Sequence, residues 1–486
     1  MAQTPAYENA TPSPDARNEQ TALHYVGSRI ADELGLGAHE LEQLSAAPDL
    51  PAWQSSLRVA ELAYDSVALA SLALSLIGQE RGTAHRNGRI TPAAARIQAS
   101  FGSEKLFRIN GSAPSIWAAL SGFWRVRDGW VRTHGNYPHH AERLAALLGI
   151  SPQAERATIE AAMRPWSRFD LEARAAEVGA LAIAVRDPSE WWQHPQYLTL
   201  GRSPAVHYTS QGDARPRPWT ASGELPLTGV RVLDLTRVIA GPVATRDLAV
   251  AGADVLRVDS PRLPEASWQH LDTGHQKRST LLDLDERRDF AKLQLLLAEA
   301  DVVVHGYRPT ALAKYGLDVE SLHHRFPGIV VAQLSAWGAQ GPWGDRRGFD
   351  SLVQAASGIA VLESKDGGAT PGALPVQALD HSAGHLLAAT IATVLRAQRT
   401  AGGSMEIEIN LARIANELLS AGPSNASDGA VTEQDLPTQT VALATATREA
   451  PVAITCAPPV LSFPGGPGEY RSALRTWGAD EAKWIS

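Results

Sequence analysis

Apolar residues recur with helical spacing over the first 200 positions and as short, near-continuous runs after position 226. In residues 67–77 (VALASLALSLI), Val67, Leu72, Leu74 and Leu76 predict an Ala/Ser/Leu-rich helix ending at Gly78, and 141–148 (AERLAALL) predicts a second, closed by Gly149. Between them, 129–133 alternates as a short strand should. Later the pattern changes. Residues 229–235 (GVRVLDL), 253–258 (ADVLRV), 280–284, 302–304 and 328–334 (GIVVAQL) predict strands. Helices are expected at 242–251 and at 286–300, the latter with Phe290, Leu293, Leu296, Leu297 and Ala300 on one face. Apolar strands alternating with amphipathic helices mark a parallel sheet covered on both faces. The expected fold class is therefore α/β, a doubly wound parallel-sheet domain.

The same pattern divides the chain. Residues 1–20, rich in Pro, Ser, Asn and Glu, read as a disordered tail. Residues 21–200 form a mostly helical block, 201–225 a Pro/Gly/Ser/Arg-rich linker, and 226–420 the doubly wound, Rossmann-like domain. Residues 421–486, punctuated by Pro458, Pro459, Pro464, Gly465, Gly466 and Pro467, are expected to be irregular and to lie back on the large domain.

Composition narrows the classes of function. The 486 residues carry 44 basic and 52 acidic side chains, a net charge of −8, so no basic face for nucleic acid is expected. One cysteine, Cys456, excludes an internal disulfide and any Cys-paired zinc site. The most apolar stretch, 67–77, is about half of the ~20 residues a spanning helix needs, and the first residues have no signal-like apolar core. No membrane partner and a cytoplasmic location are the expectation.

Candidate chemistry gathers in the second half. The turn from Thr236 to Pro242 pairs Gly241, which lets backbone approach a ligand, with a helix start whose free amides suit an anion. It is not the Gly-rich fingerprint of dinucleotide folds, and no P-loop occurs. A turn that simply needs a glycine explains it equally well. Arg257, Lys277, Arg278 and Arg308 recur near the expected carboxyl ends of strands, where open α/β sheets bind ligands. Asp380 stands before a helix expected over 381–399. There it reads first as an N-cap, whose amides would also keep it ionised as a nucleophile requires. His381 and His385 are spaced for a metal, but no third ligand accompanies them; surface histidines are the simpler reading. His134, His139 and His140 also lack a ligand pattern, and no metal is expected.

Taken together, the run from Pro226 (PLTGVRVLDLTRVIAGPVATRDLAVAGADVLRVDSP), through KRSTLLDLD, ADVVVHGYRPTALAKYGLDVESL and PGIVVAQLSAWGAQGPWGDRRGFDSLVQAASG, to ALDHSAGHLLAATIATVLRAQRTAGGSMEIEINL resembles the family III CoA-transferases. That group includes formyl-CoA and carnitine-CoA transferases and alpha-methylacyl-CoA racemase. The resemblance implies a CoA-binding doubly wound domain with a smaller α+β domain. It places Asp380 on the family's catalytic aspartate, which would form an aspartyl anhydride and then an aspartyl-CoA thioester in acyl-CoA:carboxylate CoA transfer. It implies coenzyme A or acyl-CoA as substrate beside Val238, Ile239, Ala240, Arg257, Lys277, Arg278, Tyr307 and Arg308, a carboxylic acid acceptor, and no metal. It admits a homodimer. Ile239 stands where formyl-CoA transferase has Gln and Gly306 where many members have Asn, which argues against oxalate or formate. The racemase branch has Gly-His-Asp where this chain has Gly348-Phe349-Asp350, and Phe transfers no proton. A racemase or isomerase, or a non-catalytic CoA-binding subunit, stays open as an alternative.

The first block resembles other parts of the same family. The stretches 123–131 and 176–196 are similar to the start and close of its small domain, and Leu62-Ala63-Tyr64-Asp65 echoes Leu379-Asp380. Residues 459–485 are similar to its closing segment. The chain reads as a rearranged tandem fusion, in which block one would supply the small domain and Asp65 would be a structural relic.

Overall fold

A computed structural model describes residues 22–46, 48–83, 89–201, 203–219, 223–424, 433–444 and 452–485. The expected tail at 1–20 lies outside the described residues. Seven strands form the main sheet: β1 (Val206–Gln211), β2 (Arg231–Leu235), β3 (Asp254–Asp259), β4 (Arg278–Leu281), β5 (Val302–His305), β6 (Val330–Ser335) and β7 (Ser404–Asn410). Their spatial order is β1-β7-β6-β5-β2-β3-β4, and all neighbours are parallel except β1 against β7. The chain winds outward from β2 to β4, then crosses back to β5 and winds the other way. The strand order thus reverses between β2 and β5, the place where such sheets bind ligands.

Four helices set the site: α1 (Val59–Glu80), α2 (Ala240–Val250), α3 (Asp350–Ser357) and α4 (Ala378–Ala401). α1 and α4 pack along one another inside one hydrophobic core that also takes in α2 and one face of the sheet. By length and composition α1 could cross a bilayer, contrary to the expectation that no segment could. Yet 89% of its most apolar window is buried, which marks a core helix. α4 also approaches α2 closely at Gly384, where a Cβ would lie 2.6 Å from the Ala240 carbonyl oxygen. That contact brings the start of α4 against the turn after β2.

Three expectations about organisation change. The stretch 201–225 is more than a linker, because it supplies β1, the antiparallel edge of the main sheet. Block one is not separate from block two, since α1 lies in the large domain's core. Residues 421–486 are not wholly irregular: Gln439–Ala444 and Val452–Cys456 pair antiparallel, and the latter pairs with Arg108–Ile109 of block one. Beyond them the segment does pack back, with the Trp484 indole donating to the Leu296 carbonyl.

A smaller α+β unit stands apart, with its own core. Gly122–Val126, Gly129–Thr133 and Ala182–Ala184 form an antiparallel sheet, covered by Pro138–Leu148, Arg156–Met163 and Arg168–Val178. Gly149 ends the first of these helices at φ +69, the left-handed cap that only glycine adopts at little cost.

Candidate active site

Asp380 does not precede its helix. α4 begins at Ala378, because Ala378 and Leu379 are fully buried and extend the apolar stripe toward the N-terminus. Asp380 therefore lies in the first turn, and its carboxylate accepts no hydrogen bond from the described residues. Its own backbone N–H donates to Oδ2 of Asp350, at 3.0 Å, at the start of α3. Gln354 Nε2 donates to the other Asp350 oxygen. The expected capping bonds that would keep Asp380 ionised are absent. Burial and then the Asp350 charge instead hold its carboxyl well above the usual carboxylate range. Burial also pushes Asp350 up to about 6. The Asp350 charge thus makes Asp380 still harder to ionise.

Asp380 is 7% exposed, and that exposure opens into a narrow cleft of about 40 Å³. One wall comes from the large domain, with Val238, Ile239, Trp268, Asp272, Phe349 and His381. The other comes from block one, with Glu104, Ile116, Trp117, His134 and Asn136. Residues almost 280 positions apart thus close on one carboxyl group. Burial raises Glu104 to about 7 and raises Asp272 as well, so the lining holds its protons unusually tightly. Neither Lys nor Arg lines this cleft among the described residues.

The turn after β2 is strained. Val238 sits at φ +72, a conformation a β-branched residue rarely adopts. Its N–H donates to Glu265, which also accepts from Tyr137 of the small domain at 2.5 Å. Gly241 does not open a seat for an anion: a Cβ there would lie 2.4 Å from Thr236, so the space is already filled.

The other expected CoA contacts divide. Val238 and Ile239 line the Asp380 cleft, and Ala240 opens α2 behind them. The basic cluster does not assemble at the carboxyl edge. Arg257 lies within β3, buried against Asp259 and Glu265. Lys277 is buried among Asp234, Thr245 and the Pro242 carbonyl. Arg278 begins β4 and pairs with Asp254 at the start of β3, towards the amino ends of the strands. Tyr307 and Arg308 do follow β5, and Arg308 pairs with Asp345 at a second cleft lined by Arg346 and Arg347. The histidines are not on the surface. His381 and His385 are buried and stack on Phe101, and His385 Nδ1 lies 2.6 Å from Asp247.

Two features of the site were not anticipated. Asp350 was noted only as part of a motif, because its pairing with Asp380 depends on a loop closing over 30 residues. His134 was set aside for lack of a ligand pattern, yet its ring stacks on Phe349 at 3.8 Å and 5°. The signal was present in the strand alternation, which puts Trp130, Arg132 and His134 on one side. His134 extends that ladder by donating to the Leu181 carbonyl. Burial lowers His134 to about 3, so the imidazole is neutral.

Asp65 lies apart from this cleft. It is buried, and its oxygens accept from the backbone N–H groups of His24 and Gly27.

Residues 227–459 match CoA-transferase family III. An acyl-CoA transferase of Gibberella moniliformis is 30% identical over 319 residues, covering 60% of this chain and 55% of that protein. A succinate–glutarate CoA-transferase of Agrobacterium fabrum is 35% identical over 161 residues, 29% of this chain and 40% of that one. Among solved structures, a CaiB/BaiF family protein from Brucella suis is 27% identical, with a TM-score of 0.38, over 45% of this chain and 64% of that chain. The chain thus spans about half, or less, of the length of these curated relatives.

Proposed function

The chain belongs, through residues 227–459, to CoA-transferase family III, and on that premise we propose that it is an acyl-CoA:carboxylate CoA-transferase with Asp380 as its nucleophile. The observation that carries this reading is a buried carboxyl group with no hydrogen-bonding partner, facing a cleft at the switch point of the sheet. An Asp380 oxygen attacks the thioester carbonyl carbon, the C–S bond breaks, and CoA leaves as thiolate with a mixed anhydride on Asp380. The thiolate then attacks the aspartyl carbonyl carbon, the donor acid departs as carboxylate, and an aspartyl-CoA thioester remains. The acceptor carboxylate attacks that thioester and expels the thiolate, which takes the new acyl group and restores Asp380. Each step exchanges acyl derivatives of similar energy, which is the gain of covalent catalysis. The thiol, of ordinary pKa near ~8.5, is a good leaving group.

Asp380 must be ionised to attack. Burial and the Asp350 charge hold its proton, so the attacking carboxylate forms above the usual carboxylate range. The cleft is narrower than the ~300 Å³ lower end of small-molecule pockets, so acyl-CoA entry requires the loop bearing Ile116 and Trp117 to draw away from Trp268. The neutral His134 gives some support to an isomerase reading. A group held near 3 is a poor base, however, and α-proton exchange in deuterated water without any acid acceptor would distinguish it. The test of the transferase reading is trapping. Incubation with acetyl-CoA, succinyl-CoA or cinnamoyl-CoA followed by hydroxylamine should convert Asp380 to a hydroxamate visible by peptide mass spectrometry. Absence of any adduct at Asp380 with every donor, or exchange retained in Asp380→Ala, overturns it.

A further inference from the structure

The acceptor in the proposed reaction is itself an anion, and it must reach Asp380 through a cleft lined by Glu104, Asp272 and Asp380. Among the described residues, none of the lining offers a compensating cation. Directly behind the lining stands Arg132, on the small-domain strand between Trp130 and His134. The strand's alternation sends Val131 and Thr133 into the small-domain core and turns the other side toward the large domain. Trp130 Nε1 donates to the Ala369 carbonyl, and His134 stacks on Phe349, so both neighbours of Arg132 on that side touch the large domain.

Arg132 is 9% exposed, yet its guanidinium makes no hydrogen bond and no ion pair among the described residues. Of the other buried arginines, Arg186 pairs with Glu172, Arg257 with Asp259 and Glu265, and Arg413 with Glu417, while Arg246 hydrogen-bonds the Asp272 carbonyl and the Ser100 hydroxyl. Its guanidinium carbon lies over Trp117 at 4.9 Å and Phe123 at 5.0 Å, and the charge that acts on it is that of Asp350, which makes no hydrogen bond to it. Trp117 is at once its platform and a wall of the Asp380 cleft. A desolvated guanidinium whose nearby acid, Asp350, does not hydrogen-bond it is costly unless something it is built to meet supplies those bonds. The planar fork of a guanidinium set over aromatic rings can meet a carboxylate with two parallel N–H···O bonds.

We propose that Arg132 is the recognition residue for the carboxylate of the acceptor acid, carried into the Asp380 cleft by the small domain. The inference rests on the transferase reading and adds the group that holds the second substrate. Arg132 forms no bond to the reacting atoms. It offsets the acidic lining and fixes the acid with one carboxylate oxygen towards the aspartyl thioester. His134 and Trp117 orient it.

The test separates the two half-reactions. With acetyl-CoA, succinyl-CoA or cinnamoyl-CoA as donor, Arg132→Met should still load Asp380 with CoA, read as the hydroxamate. The KM for acetate, succinate or cinnamate as acceptor should rise at least about tenfold, with Arg132→Lys falling between the two. Binding of the same three acids by isothermal titration calorimetry supplies a readout independent of turnover. Wild type should bind at least one of them, and Arg132→Met should bind it at least about tenfold more weakly. Acceptor KM and affinity unchanged within twofold, or wild type binding none of the three, overturns the assignment. Loss of the hydroxamate in wild type instead overturns the transferase reading, while calorimetry still decides the role of Arg132. Should Arg132→Met fail to fold, Arg132→Lys carries the same comparison.

Discussion

The backbone N–H of Asp380 donates to a carboxylate oxygen of Asp350 at 3.0 Å, so the proposed nucleophile is built beside a second buried acid. Burial opposes ionisation of both acids, and the Asp350 charge further opposes that of Asp380. The acid limb of enzyme loading should therefore be set by Asp380 itself and lie well above the usual carboxylate range. Asp350→Asn removes the repelling charge and should move that acid limb down by about one pH unit. Single-turnover loading measured from pH 4.5 to 8 tests this. An unchanged limb in Asp350→Asn would show that the pair does not control ionisation.

The same pair has a consequence for stability. Both acids hold protons more tightly when folded than their ordinary carboxylate values allow. Their contribution is therefore complete below about 4 and is lost as pH rises through the folded values, about 6 for Asp350. Asp380→Asn removes the ionisation of that carboxyl and leaves Asp350 as the acid of the pair that still titrates. At pH 7 it should abolish loading and raise Tm by roughly a few degrees; at pH 3.5 the Tm difference should vanish. A variant less stable than wild type at pH 7 contradicts the desolvation argument.

α4 can carry Asp380 to the cleft only because Gly384 lets it lie on α2. An added methyl would meet the Ala240 carbonyl at 2.6 Å and Val243 at 2.8 Å, both parts of a packed helix that cannot swing aside. Gly384→Ala should cost about 1–3 kcal/mol of stability. It should lower the loading rate by more than tenfold by shifting Asp380 relative to Val238 and Ile239. Urea unfolding and single-turnover loading measure the two effects; loading at the wild-type rate would mean that this contact does not place the carboxyl group.

Much of this architecture was legible along the chain, and the exceptions share causes. β2, β3, β5 and β6 are buried on both faces, so their apolar runs announce them. β1 is the edge strand, and Tyr208 and Thr209 face Ile407 and Glu406 of β7 across a ladder whose mixed polarity resembles loop. Arg257 and Lys277 look like ligand groups in a string of letters. Only folding shows Asp259, Glu265 and Asp234 already neutralising them. The start of α4 was misplaced because a carboxylate before an apolar stripe suggests a cap, whereas buried Ala378 and Leu379 carry the helix further back. The contribution of His134 to the Asp380 cleft lay beyond a local reading, since it arises only when the small-domain strand is set against Phe349.

Asp65 offers a contrast that can be measured. It echoes Asp380 in sequence and sits on α1, which packs along α4, but its oxygens are occupied. His24 N–H donates to it at 3.1 Å, His24 Nδ1 lies at 2.9 Å and Gly27 N–H donates at 2.9 Å, at the start of the Tyr25–Glu33 helix. A Cβ at Gly27 would sit 2.5 Å from the Asp65 carboxyl carbon, so no substrate atom can approach there. Burial lowers His24, but the hydrogen bond and charge of Asp65 outweigh it and leave the imidazole raised. That stabilisation is complete below the ordinary histidine value near ~6.5 and is lost as pH climbs through the higher folded value. Wild-type stability should accordingly decline between pH 6 and 8. Asp65→Asn should flatten the decline and cost about 1–3 kcal/mol at pH 6. Because Asp65 lines no part of the Asp380 cleft, loading of Asp380 in that variant should match wild type at pH 7. A variant as stable as wild type but unable to load would instead place Asp65 in the reaction.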